Sequence, residues 1–97
     1  MAYKLTQKAE DDIIAVYLEG FALFGEAQAE SYHGALEQVF QFLSDNPKAA
    51  RERTEIDPPV RCHPHGAHIV IYLIEENGDV LILRVRHARE DWDADPV

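Results

Sequence analysis

Residues 66–91 read Gly66-Ala-His68-Ile-Val-Ile-Tyr72-Leu-Ile-Glu-Glu-Asn77-Gly78-Asp-Val-Leu-Ile-Leu-Arg84-Val-Arg86-His87-Ala-Arg89-Glu-Asp91. Two apolar, β-branched runs flank Asn77-Gly78, the dipeptide that best tolerates a positive φ at both central positions of a two-residue hairpin turn. Neither run alternates with polar residues, since 69–74 and 80–83 are apolar throughout. We therefore predict two antiparallel strands that are covered on both faces or lie centrally in a small sheet.

The first half of the chain predicts two helices. After a short opening strand at Tyr3–Leu5, Thr6 is the expected N-cap of a first helix of roughly 7–24, because its hydroxyl can accept a backbone N–H of the next turn. Gly25 is the expected residue after that helix and leaves almost no loop before the second one. Asn46-Pro47 ends the second helix. The two helices should therefore form an antiparallel hairpin, with an apolar stripe packed in the core.

The remaining segments complete one α+β domain that covers residues 1–97. A polar connection, 48–59, precedes a strand at 60–63 and a turn at 64–66 that leads into the next strand. The predicted order is β-α-α-β-β-β, an antiparallel sheet with the helical hairpin packed on one face. Trp92 is expected to dock as a final anchor, and 93–97 to be a loose tail.

Charge and composition limit the function. Nine Lys and Arg against eighteen Asp and Glu give a net charge of −9, which disfavours long-range attraction to nucleic acid, so no direct DNA binding is expected. No apolar run reaches the length of a membrane span, and the first residues lack the pattern of a secretion signal. The single cysteine, Cys62, fits a reducing compartment. We therefore expect a cytoplasmic protein.

An ordered set of short motifs extends from Tyr3 to about Asp91. They are Tyr3-x-Leu5, Ala9-x-x-Asp12-Ile13, Gly25-x-x-Gln28-Ala29-x-x-Tyr32, Asn46-Pro47, Arg61, His68-x-x-x-Tyr72 and Leu83-Arg84-Val85-x-His87-x-Arg89-x-Asp91. In this order and at this length, the set resembles ParE-type toxins of the RelE/ParE superfamily, the small toxins of bacterial type II toxin–antitoxin modules. The resemblance implies a RelE/ParE-like fold and a cognate ParD-like antitoxin that wraps the toxin.

The two branches of this superfamily imply different activities. The ParE branch implies inhibition of DNA gyrase by protein binding, as in plasmid stabilisation, and the RelE branch implies ribosome-dependent mRNA cleavage. Here His68 stands where RelE-like nucleases typically place an arginine, the mid-chain loop carries only Lys48, Arg51 and Arg53, and no tyrosine follows Asp91. These differences favour the ParE branch, although the net charge of −9 departs from the basic charge usual in these toxins.

The resemblance and the charge pattern together predict two surfaces. The expected target-facing residues are Arg61, His68, Arg84, Arg86, His87 and Arg89. The expected antitoxin contacts are exposed apolar residues of the helices, Tyr17, Phe21 and Phe24. An inhibitor that acts by binding needs no catalytic residue. If the chain is instead a nuclease, its catalytic residues would be His68, Arg84 and His87, which together would supply a base, an acid and a cation that stabilises the scissile phosphate. A third possibility is a non-toxic relic that only binds antitoxin.

No metal site and no cofactor are predicted. Cys62-His63-x-His65-x-x-His68 could suggest zinc, but neighbouring strand residues such as Cys62 and His63 point to opposite faces, and there is no second ligand cluster in the sequence. Cys62 has no evident group to orient a nucleophile. The acids around Trp92 are interpreted as a solvated terminus rather than as a paired-carboxylate hydrolase site.

Overall fold

The computed structural model describes residues 2–97, and within that range the chain forms two helices, five strands and two short 3-10 turns. In chain order they are β1 (Tyr3–Leu5), α1 (Gln7–Phe24), α2 (Glu26–Asp45), a 3-10 turn (Pro47–Ala49), β2 (Glu52–Arg53), β3 (Val60–His65), β4 (His68–Ile74), β5 (Val80–His87) and a second 3-10 turn (Trp92–Ala94). The order across the sheet is β1-β5-β4-β3-β2. β1 lies parallel to β5, and the other neighbours are antiparallel. The predicted α+β arrangement is confirmed, but the sheet is mixed rather than antiparallel because β1 pairs parallel to β5, and β2 is an additional strand that the sequence did not predict.

Local signals at the helix ends behave as predicted. The Thr6 hydroxyl accepts the backbone N–H of Ala9 at 3.0 Å and begins α1. Gly25 has a φ of 91°, in the region that favours glycine, and its N–H donates to the Phe21 carbonyl at 2.9 Å. The chain therefore leaves α1 and enters α2 through this one residue, which gives the expected helical hairpin.

Both faces of the sheet are covered, which explains why the central strands do not alternate. On one face the hairpin buries a cluster that includes Leu36, Phe40, Leu43, Val70, Tyr72 and Ile82. On the other face lies a second cluster of Ile56, Val60, Cys62, Ile71, Leu83 and Trp92. Burying one such aliphatic or aromatic side chain stabilises a fold by about 1.5–3 kcal/mol relative to leaving it exposed, so both clusters matter for stability.

Two predicted turns are wrong in detail. In the turn at Asn77-Gly78, Gly78 has a positive φ of 90° but Asn77 does not, and the Asn77 side-chain oxygen accepts the Asp79 N–H at 2.9 Å. The Gly78 N–H donates to the Glu75 carbonyl at 2.9 Å, which makes a three-residue loop rather than the two-residue turn. The strand predicted at 60–63 continues to His65, so the next turn is Gly66-Ala67 instead of 64–66.

The C-terminal residues contact the rest of the domain. Trp92 is buried as expected, and the guanidinium of Arg53 lies 5.6 Å from the centre of its ring. Beyond it, Arg86 donates to the Asp95 carbonyl at 3.1 Å, and Lys8 to the Val97 carbonyl at 3.2 Å.

Neither helix in the described part of the chain, residues 2–97, is long and apolar enough to cross a membrane.

Candidate binding site

A cavity of about 290 Å³ opens between the helical hairpin and the strand ends at His68 and His87. These two histidines face each other because β4 begins at His68, β5 ends at His87, and the two are paired in the sheet register. The apolar lining comes mainly from the hairpin and includes Ile13, Val16, Leu23, Phe24, Ala29 and Leu36. The polar lining includes Glu19, Gln28 and His33 of the helices as well as His68 and His87 at the strand ends. The cavity is thus an apolar groove with a histidine-lined end.

Tyr32 on α2 organises the polar end of the cavity. Its hydroxyl oxygen lies 2.6 Å from Nδ1 of His68 and 2.9 Å from the carbonyl oxygen of His65. A hydroxyl has one proton, so if Tyr32 donates to the carbonyl, Nδ1 of His68 must carry the proton that it donates to Tyr32. The His68 and His87 rings meet edge to face with centroids 5.5 Å apart.

Burial favours the neutral forms of His68, His65 and Tyr32. Burial lowers the pKa of His68, and the nearby charge of His87 lowers it further. Burial likewise lowers the pKa of His65 and raises that of the Tyr32 hydroxyl. Near neutral pH the buried end of the cavity therefore offers hydrogen-bonding groups rather than positive charge.

Gly66 permits the approach of Tyr32 to the strand turn. Its φ is 55°, and a Cβ atom at this position would lie 2.8 Å from the Tyr32 hydroxyl oxygen. Real Cβ atoms do not come that close to a neighbour, so a larger residue would push Tyr32 away from His65 and His68. The glycine of this turn is therefore part of the site geometry.

The arginines predicted to face a target are largely engaged within the chain. Arg84 donates to the Asp12 carboxylate from Nε at 2.6 Å and from Nη2 at 3.0 Å, and both side chains are mostly buried. Arg86 donates to Glu90 at 2.8 and 3.0 Å. Arg61 donates to the Ala50 carbonyl at 2.6 Å. Their first role is therefore to hold strands, loops and α1 together.

The predicted target-facing residues do not share one surface. His68 and His87 lie together at the cavity. Arg84 and Arg86 are paired across the sheet with Ile71 and Ile69, two residues apart, so they share the opposite face. The remaining two are Arg61, which is held at the β2 side of the sheet, and Arg89, which is exposed after β5.

The residues predicted to contact the antitoxin lie at the surface of the hairpin. Phe21 and Phe24 are 48% and 63% exposed, and Phe24 also lines the cavity. Tyr17 is partly buried, lines the cavity, and donates a long hydrogen bond of 3.3 Å to Glu30. Sequence reasoning missed Ile14, Leu18 and Leu23, which are also large, apolar and exposed.

Sequence reasoning also missed two polar residues. Tyr32 fits the apolar stripe of α2 by its spacing, but a tyrosine in a core stripe needs a hydrogen-bond partner, and that was the available signal. Asp12 was visible only as part of a motif, and nothing local indicated that Arg84 would be its partner.

Thiol or zinc chemistry has little geometric support. Cys62 packs in the second cluster, on the face of the sheet away from the cavity, and its burial raises the pKa of the thiol. Within residues 2–97, no group of three His, Cys, Asp or Glu side chains is arranged to hold a metal ion.

Comparisons with known proteins place the chain in a family context. Residues 3–92 match the family described as "ParE toxin of type II toxin-antitoxin system, parDE". The protein named "Toxin ParE1" from Mycobacterium tuberculosis, in strains CDC 1551 / Oshkosh and ATCC 25618 / H37Rv, is 29% identical over 91 residues, which cover 94% of this chain and 93% of that relative. A solved structure of the "Chromosomal ParDE TA system from P. aeruginosa" shares the fold with a TM-score of 0.72 at 24% identity, over 90% of this chain and 95% of that one.

Proposed function

This chain belongs to the ParE toxin family of type II toxin–antitoxin systems, and on that premise we propose that it inhibits DNA gyrase by binding and is neutralised by a cognate ParD-like antitoxin. Binding to gyrase and binding to the antitoxin would both take place in the bacterial cytoplasm. The net charge of −9 argues against direct DNA binding, so the proposed target is the protein rather than its substrate.

The observation that carries this proposal is the internal pairing of the arginines. Metal-free RNA cleavage needs cations that stabilise charge on the scissile phosphate. Arg84 is bound by Asp12 and Arg86 by Glu90, and freeing Arg84 would leave a largely buried carboxylate without its partner. In the described part of the chain, no lysine or arginine lines the cavity that holds His68 and His87. Binding therefore fits the geometry better than phosphate chemistry.

The proposed contacts follow the exposure of each residue. Phe21, Phe24 and the edge of Tyr17 offer apolar surface to the antitoxin. Exposed Arg89, with His68 and His87 beside it, would face gyrase. In this proposal Arg84 and Arg86 contribute by fixing the end of β5 that presents those three residues, and Arg61 contributes by holding the chain at Ala50.

A second candidate function is cleavage of mRNA on the ribosome. One observation favours it, the short contact of 2.6 Å between the Tyr32 hydroxyl and Nδ1 of His68. A hydroxyl–imidazole pair can move a proton, as a general acid or base must. A nuclease of this kind would lose activity in His68→Asn and Tyr32→Phe, because both variants remove a proton-carrying group.

The deciding experiment is inducible expression without antitoxin, with DNA synthesis and protein synthesis measured separately, followed by gyrase supercoiling with the purified chain. The proposal expects early loss of DNA synthesis, filamentous cells and inhibited supercoiling, all reversed by the antitoxin. Early loss of translation with cut messages would overturn it in favour of the nuclease. Normal growth and active gyrase would indicate a non-toxic antitoxin-binding relic.

A further inference from the structure

We propose that the cavity between the helical hairpin and the His68 strand end binds a cationic amphipathic segment of the antitoxin. An apolar side chain of that segment would enter the cavity, and lysines or arginines beside it would pair with acids of the toxin at the rim. This inference rests on the proposed function for the identity of the partner and adds the charge class of the segment that docks.

The cavity suits an apolar anchor. Its walls carry aliphatic and aromatic side chains from both helices, and Leu23 at its edge is 65% exposed. Phe24 beside it is 63% exposed. A volume of about 290 Å³ accommodates one or two large side chains of a partner. Covering this surface would remove apolar area from water, which is the main driving force of such contacts.

The rim of the cavity is negative. Glu19 lines the cavity, and Glu30 is bound to Tyr17, another lining residue. Burial raises the pKa of the Tyr17 hydroxyl, and the charges of Glu30 and Glu26 raise it further, so both carboxylates act at this edge. At the other end, the charges of Glu19 and Glu90 act on His68.

The described lining of the cavity carries no lysine or arginine that would offset the negative charge of the rim. Burial also favours the neutral form of His68. The helical hairpin as a whole, residues 7–45, carries eight Asp and Glu against one lysine, Lys8. An acidic segment would meet like charge at the rim, at Glu19 and Glu30, and a cationic one would meet opposite charge there.

Two labelled helical peptides of about 20 residues test this inference directly. They share one leucine-rich face and differ only in carrying lysine or glutamate at every polar position. Their binding to the full chain is measured by fluorescence anisotropy at about 50 and about 300 mM NaCl. We expect the lysine peptide to bind about tenfold more tightly at low salt and to lose most of that preference at high salt.

Matched variants place the effect at the cavity. Glu19→Gln combined with Glu30→Gln should reduce the preference for the lysine peptide about three- to tenfold. Glu76→Gln, which removes an exposed acid in the distant β4–β5 turn, should leave it unchanged. Leu23→Ser should weaken both peptides, and Leu18→Ser, an equally exposed leucine that does not line the cavity, should weaken neither.

Equal binding of the two peptides, tighter binding of the glutamate peptide, or an equal effect of Glu76→Gln would each overturn the inference. The gyrase assay separates this result from the proposed function. A chain that inhibits gyrase but prefers the glutamate peptide refutes only the cationic partner. A chain that prefers the lysine peptide at this cavity but leaves gyrase active refutes only gyrase inhibition.

Discussion

The Asp12 carboxylate on α1 accepts two hydrogen bonds from the guanidinium of Arg84, which lies 72 residues later on β5. The same carboxylate accepts the backbone N–H of Val85 at 3.0 Å. β1 pairs with β5 only as far as Leu5 opposite Ile82, so the edge of β5 beyond that point has no strand beside it. Asp12 therefore accepts a backbone N–H at this edge of β5 and links α1 to the end of β5.

Replacing this carboxylate should destabilise the whole domain. In Asp12→Asn the guanidinium of Arg84, whose side chain is 16% exposed, keeps its charge but loses its counter-charge. We expect the free energy of unfolding to fall by about 2–4 kcal/mol, because one partner of a largely buried pair is removed. Urea unfolding near neutral pH measures the difference.

The exposed pair Arg51–Glu55 provides the control, since its side chains are 71% and 55% exposed. Glu55→Gln should change the stability by less than about 0.5 kcal/mol. Equal small losses in Asp12→Asn and Glu55→Gln would show that the Asp12–Arg84 pair is not structural. If the pair is structural, loss of toxicity in an Arg84 variant reports on folding and cannot by itself assign a catalytic role.

The helices could be predicted from sequence because their signals are local. Thr6 caps α1 through a residue three positions away, and Gly25 supplies the positive φ that separates the two helices. β2 could not be predicted, since Glu52 and Arg53 form a strand only by pairing with Arg61 and Val60 across a loop. A strand of only two residues is too short to show a periodic pattern of apolar residues in the sequence.

The site was only partly predictable for the same reason. The sequence places His68 and His87 at the ends of adjacent strands, and the pairing of β4 with β5 does bring them together. The partners of the arginines were not visible, because Asp12 and Arg84 are far apart in the chain. Tyr32 fits the apolar stripe of α2 by its helical spacing, which gives no information about a carbonyl 33 residues later.

Gly66→Ala should lower stability by about 1–3 kcal/mol, because a left-handed φ of 55° strains alanine and the new Cβ would meet the Tyr32 hydroxyl at 2.8 Å. Thermal unfolding measures the loss, and the NMR shifts of the His68 ring should report the displaced tyrosine. Gly34→Ala is the matched control. It lies within α2 with no atom within 4 Å of the new Cβ, so it should be neutral or stabilising by up to about 1 kcal/mol. A stable Gly66→Ala chain with an unchanged His68 ring would contradict the role of this turn.

Stability should fall on mild acidification. Burial lowers the pKa of His68 and His65, so near the ordinary histidine value of about 6.5 the unfolded chain binds protons more readily than the folded one. This contribution is fully present above that value and is lost as the pH falls through the window below it. Urea unfolding at about pH 8, 6.5 and 5 should show the decline in the wild type.

The variant His65→Asn/His68→Asn tests the origin of that decline. Its stability at about pH 8, where ordinary histidines are neutral, measures the packing lost with the two rings. Relative to that value, its stability should fall less steeply than that of the wild type down to about pH 5. An identical slope in the two proteins would assign the decline to other groups.

Trp92→Ala should destabilise the domain although the residue lies only five positions before Val97. Its ring is 8% exposed, packs in the cluster with Ile56, and lies under the guanidinium of Arg53. Removing it exposes one face of the sheet, so we expect a loss of about 2–4 kcal/mol in urea unfolding. Phe24→Ala removes an aromatic ring that is 63% exposed and should change stability by less than about 1 kcal/mol. If Trp92→Ala is as mild as Phe24→Ala, the second cluster does not depend on this anchor, and the stability of the sheet comes mainly from the helical face.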